Sequence, residues 1–381
     1  MVNLSFGVVL PIHTMTWPSW STSWMHCLEC HHLSMVLHFC GVVSQPGISS
    51  TIMEFLRPSL VVTVCSDVDD GWVDNHIRFI DIDRNALVHS VHMTYQQGQH
   101  FEIIGAIPIW GRQSLACHLC DLPGLGLFDM RTGELRHVCQ IHLLNFLAHV
   151  PREGLIVSSS GSGLSLFDDE NLALSGSISL PGPAADDVDV VTSVMGGFMH
   201  DLLASCVVVG CRLWGLHIVD VQQRAIIRTI SLPRLPVPHY PAYINSLKNL
   251  ALSASGLQVA VTRYKHLFVV DLRVNEYAYK HYSLGSAPTC VSFVGDCRLV
   301  CSIGDDINIL DITSGEWLHQ FHLRDGYYPT WCAKLPNSDW VAVACLEEVD
   351  QDDGCLYKIQ IEPPFMVEFI CEVCVESLFL E

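Results

Sequence analysis

The chain has 381 residues, of which 50% are hydrophobic and 16% charged, a balance that supplies a large core and excludes general disorder. Its 40 Asp and Glu against 20 Lys and Arg give a formal charge of −20. Such a field repels phosphate backbones and anionic headgroups, so nucleic acid and membrane surfaces are poor partners and a basic protein segment fits better; solubility alone is the plainer use of the same charge.

Residues 1–50 stand apart from the rest of the chain. The opening MVNLSFGVVLPIHTM lacks a basic n-region and the first basic residue is Arg57, so neither a secretory signal nor an Arg-rich transit peptide is read here. Three tryptophans, Trp17, Trp20 and Trp24, fall close together, followed by Cys27, Cys30, His31, His32, His38 and Cys40. This is the strongest metal candidate of the sequence, because a CxxC pair sets two thiolates on one turn and a following His and Cys could complete a tetrahedral zinc site. One residue separates His38 from Cys40, where a half-site usually has about two to five, so no metal ligand is assigned. The segment is read as an N-terminal extension that adds a strand to the last repeat, packs over one face, or is disordered.

From residue 51 onward the chain repeats itself, the signal to seek before any other. Seven segments share an alternating apolar run, an anchoring residue, a short turn and a second run. They begin HIRFID, GLGLFD, GLSLFD, GLHIVD, HLFVVD, DINILD and CLYKIQ, with the anchor at Asp81, Asp129, Asp168, Asp220, Asp271, Asp311 and Gln360. The anchors recur every 39 to 52 residues, the period of propeller blades. Two more strand candidates lie upstream in several repeats: TIMEFL and SLVVTVCSD in the first, NLALSAS and GLQVAVTR in the fifth, TCVSFVG and CRLVCSIGD in the sixth. Four short strands rich in Val, Ile, Leu and Phe make one antiparallel blade. The expected fold is all-β, a seven-bladed β-propeller with four-stranded antiparallel blades over residues 51–381. No run approaches the roughly 18 apolar residues of a membrane span.

Each Asp ends a predicted third strand, where its carboxylate can accept from backbone N–H groups of the next hairpin. Thr132-Gly133 and Ser314-Gly315 supply the positive φ that a tight hairpin with a bulge requires. Asp81, Asp129, Asp168, Asp220, Asp271 and Asp311 are therefore structural turn residues, not a catalytic set. Proline-rich stretches 179–189 and 231–243 are read as loops on one rim, either a binding face or plain linkers. The acidic stretches 66–74 and 347–357 do not place Asp or Asn at the calcium-loop positions and are read as solvated tips between second and third strands.

LFDMRTGELRHV and ILDITSGEWLHQF resemble the third-strand ending of WD40 repeats, in which an aromatic or aliphatic residue precedes Asp and a turn with Gly comes after it. The similarity covers roughly residues 50 to 375. The position before Asp holds Ile80, Phe128, Phe167, Val219, Val270 and Leu310, never Trp, and the Gly-His pair that often opens family repeats is missing. Membership in that family implies a non-enzymatic scaffold that binds peptide segments or subunits of a complex.

No GxSxG elbow, HExxH pair, GxxxxGK[ST] or GxGxxG occurs, and GSGLSLF (161–167) sits as a turn between two strands. Histidines such as His89, His92 and His217 fall singly on strands. The pairs Cys117/Cys120 and Cys371/Cys374 lie in strand-like runs, where residues three apart point to opposite faces, and read as core thiols. Seventeen cysteines, an odd number set mostly in apolar runs, suit a reducing cytosolic or nuclear setting. The sequence therefore calls for no cofactor or metal. The competing expectation is a propeller enzyme, of metal-dependent hydrolase or lactonase type, with ligands gathered from several repeats around the axial channel.

Overall fold

The computed structural model describes residues 38–40 and, apart from short stretches chiefly in the connections, residues 60–373. Among the described residues there are strands, turns and no α-helix, hence no helix long and apolar enough to cross a membrane. Every sheet among the described residues lies within residues 35–381.

The strands pair in chain order as four-stranded antiparallel sheets. The second sheet comprises β5 (Ile103–Ile109), β6 (Ser114–Leu119), β7 (Gly124–Asp129) and β8 (Leu135–Gln140). The third has β9 (Leu144–Val150), β10 (Leu155–Ser160), β11 (Gly163–Asp168) and β12 (Leu174–Ser179). The fourth has β13 (Val191–Met195), β14 (Cys206–Cys211), β15 (Gly215–Asp220) and β16 (Ala225–Ile230). Then come β17 (Leu247–Leu252), β18 (Gln258–Arg263), β19 (His266–Asp271) and β20 (Tyr279–Ser283). The sixth has β21 (Val291–Val294), β22 (Arg298–Ile303), β23 (Asp306–Asp311) and β24 (Trp317–His322). The last has β25 (Tyr327–Lys334), β26 (Trp340–Glu347), β27 (Gly354–Gln360) and β28 (Met366–Val373).

The first sheet departs from the sequence reading. Its second to fourth strands are β2 (Leu60–Asp69), β3 (Trp72–Asp81) and β4 (Ala86–His92), and its first is β1 (His38–Cys40), three residues drawn from inside the 1–50 stretch. This strand joins the first sheet, pairing His38 with Val64 and Cys40 with Val62, whereas a strand added to the last repeat was one of the expectations. The TIMEFL segment lies outside the described residues. The acidic stretch 66–74 is also more regular than expected. Ladder pairing of β2 with β3 runs out to Asp69 opposite Trp72, so most of this stretch is strand.

Burial explains why these runs look almost continuously apolar. In β14 every residue is buried, yet neighbours point into different cores. Cys206 and Val208 pack with Leu247, Val259 and Phe268 of the next sheet. Val207, Val209 and Cys211 pack with Val157, Leu164 and Leu166 of the preceding one. The period of two thus serves two cores instead of separating core from water. Among the described residues each of six clusters joins two consecutive sheets, from the first and second to the sixth and last. Fourth strands are largely exposed, as in β8 and β24. The first strands touch in series, β1 to β5 to β9 to β13 to β17 to β21 to β25, and β1 also touches β25.

Candidate functional site

The six aspartates occupy one structural position. Each ends the third strand of its sheet, and in register each lies opposite the first residue of the second strand, as Asp129 does Ser114 and Asp311 does Arg298. Their Oδ1 atoms accept backbone N–H bonds from the turn. Asp81 accepts from Arg84 at 3.1 Å and Asp220 from Gln223 at 2.8 Å. Asp129 accepts from Arg131 at 2.7 Å and Thr132 at 3.1 Å. Asp168 accepts from Glu170 and Asn171, Asp271 from Arg273, and Asp311 from Thr313 at 2.7 Å and Ser314 at 3.1 Å. Burial would raise the Asp129 carboxyl, but these amides and the Arg136 guanidinium outweigh it and hold the group below its ordinary value. Arg273 does the same to Asp271 through its side chain, and the Ser314 amide to Asp311. In those three the carboxylate is held ionised and is a poor proton donor, and in all six its Oδ1 is occupied by the turn. Their chemistry is that of a turn lock.

Four of the turns, those of Asp129, Asp168, Asp220 and Asp311, share one form. The fourth residue after Asp has positive φ at Gly133 (72°), Leu172 (57°), Arg224 (54°) and Gly315 (79°). At Asp129, Asp168 and Asp311 the amide of that residue donates to the Asp carbonyl, while the Asp amide donates to the residue after it. A register shift accompanies the turn, for example between Leu127 and Phe128, as a bulge next to a left-handed residue requires. Gln360 takes the anchor place in the last sheet, opposite Trp340, without a carboxylate.

One residue breaks the repeat. The position after the anchor is buried and apolar at Met130, Val221, Leu272, Ile312 and Ile361, but it is Asp169 in the third sheet, 5% exposed. Its Oδ1 accepts from Arg112 Nε at 3.3 Å and its Oδ2 lies 3.1 Å from His149 Nε2. Arg112 lies between β5 and β6 of the second sheet and also reaches Glu170 at 3.5 Å, so the cluster ties two sheets together. Burial pushes His149 below its ordinary value although Asp169 pulls the other way. The sequence reading missed Asp169; aligning the residue after each anchor would have exposed it.

Hydroxyls form a second recurring device. The fifth residue of the second strand is Ser159, Thr262 or Ser302, and each accepts a backbone N–H from its neighbouring first-strand segment: Phe146 and Asn249 at 3.1 Å, Thr289 at 2.7 Å. In the third and fifth sheets the ladder shifts register there, and the hydroxyl replaces the carbonyl that the bulge removes. His118 holds this place in the second sheet, where burial pushes its pKa down to about 4.

The remaining candidates separate. Cys27, Cys30, His31 and His32 lie outside the described residues, as do Cys120 and Cys374. Cys117 is a buried core thiol of β6, and His217 is buried on β15 with Thr229 Oγ1 2.8 Å from its Nδ1. Both proline-rich stretches fall mostly outside the described residues, between one sheet and the next. Among the described residues no three His, Cys, Asp or Glu side chains converge as a metal site. No protein-family model and no curated protein matches this chain.

Proposed function

We propose that the chain is a seven-bladed, WD40-like β-propeller that acts as a non-enzymatic platform for protein partners. The observation that carries this reading is the chain of contacts between first strands, which returns from β25 to β1. Apolar faces are shared between consecutive sheets, as blades around an axis share theirs, and the Asp turn marks the same corner of six of them. In a closed ring the first strands would line the axial channel. None of β1, β5, β9, β13, β17, β21 and β25 contains Asp or Glu, so a hydrolase reading would have to take its carboxylates from the connections.

The partner class follows from charge. A net −20 favours basic segments, speeds their encounter and makes binding salt-dependent. Cys206, Cys290 and Cys301 are buried free thiols, which supports a cytosolic or nuclear setting. Native purification of the intact chain, with the mass of the eluted complex measured at low and high salt, tests the proposal. A stoichiometric basic protein partner released by salt supports it, and a lone chain carrying a catalytic metal overturns it.

A further inference from the structure

We propose that His266 and His281 form a two-imidazole site for one divalent transition-metal cation of the Zn2+, Ni2+ and Cu2+ class. His266 opens β19 and His281 lies in β20, where Phe268 is the register partner of His281. Residues two apart share a face of a strand, so His266, Phe268 and His281 stand together on one side of the hairpin. His266 Nδ1 is 2.8 Å from His281 Nε2, with ring centroids 5.0 Å apart. Two imidazole nitrogens bound at about 2.0 Å to one ion, at right angles, are themselves about 2.8 Å apart.

The site is partly built in advance. Phe268 is fully buried, and His281 stacks on it at 4.8 Å with 13° between the planes. That contact fixes one ligand ring while leaving it exposed to water and ions. Without metal one ring nitrogen donates to the other. When the ion enters, that bridging proton passes through solvent to the outer nitrogen of the same ring, both rings turn their lone pairs to the ion, and the net proton count is unchanged. Arg263, the register partner of His266, opposes the cation and donates from its guanidinium to the Pro233 carbonyl at 2.9 Å. Water fills the remaining coordination positions, since no third such ligand converges there among the described residues.

Calorimetric titration of the full chain with nickel chloride in a non-coordinating buffer tests the site, using wild type, His266→Ala, His281→Phe and, as a control at an exposed histidine of β24 in another sheet, His319→Ala. His281→Phe keeps a ring on Phe268 and removes the ligand, so its melting temperature without metal should match wild type. The expected result is a site of one ion per chain whose affinity falls at least about tenfold in both variants of the pair, as loss of a chelate arm requires, with His319→Ala unchanged. Equal affinity in wild type and His281→Phe overturns the proposal, as does equal weakening by His319→Ala.

Discussion

His149 Nε2 lies 3.1 Å from Asp169 Oδ2, and the other oxygen of that carboxylate accepts from Arg112. A buried acid stands here in place of the methionine, valine, leucine and isoleucines that come after the anchor in five other sheets. Asp169→Ala removes the charge and its packing together and should destabilise by about 3 kcal/mol. Asp169→Leu restores the apolar pattern of the repeat and should recover most of that loss, because a well-packed side chain often matches a buried ion pair. Urea midpoints with an unchanged slope check both values.

Acid should weaken the fold through His118. Its pKa is 6.5 in the unfolded chain and about 4 in the folded one because of burial. Between those values the unfolded chain binds a proton that the folded chain refuses, so stability is complete above pH 6.5 and declines as pH falls toward 4. His149 is shifted in the same direction. Melting temperatures measured from pH 7 to pH 4 should fall less steeply in His118→Leu than in wild type.

Two turn glycines with similar φ should respond differently to alanine. At Gly315 the nearest atom to a new Cβ is Tyr282 Cε1 at 3.8 Å, so only the left-handed conformation is penalised and the loss should be about 1 kcal/mol. At Gly133 the same Cβ would run into the His92 carbonyl oxygen of the preceding sheet. Gly133→Ala must therefore also push two sheets apart and should cost at least about 3 kcal/mol. Equal losses in chemical denaturation would contradict the close approach.

Ser302 accepts backbone N–H bonds from both Thr289 and Cys290 and is fully buried. Ser302→Ala leaves these two amides without their hydroxyl and should destabilise by about 2 kcal/mol. Ser302→Thr keeps the acceptor and should lose less. Amide exchange at Thr289 and Cys290, faster in the alanine variant alone, identifies the cause.

Much of the strand order was legible because the anchor residue and its turn are local chemistry. GLSLFDDENLALS declares a strand, a carboxylate turn and a second strand without reference to anything distant. Asp169 was not legible from its own segment, since DD reads as a solvated turn; its burial depends on Arg112, 57 residues earlier. The strand His38–Cys40 was hidden for a related reason. Three residues carry too little periodicity to register, and pairing with β2 spans a sequence separation that no local pattern reports. His266 and His281 stand apart in sequence, and only the β19 and β20 register sets them together.

The ring itself is tested most directly by an electron-density map of the intact chain, from crystals or from a cryo-microscopy reconstruction. The contacts of β1 with both β5 and β25 predict successive sheets rotated about one central axis, with His38–Cys40 seated between the first strands of the second and last sheets. Sheets stacked in a line, with β25 far from β1, would contradict the closed propeller and the platform proposed on it.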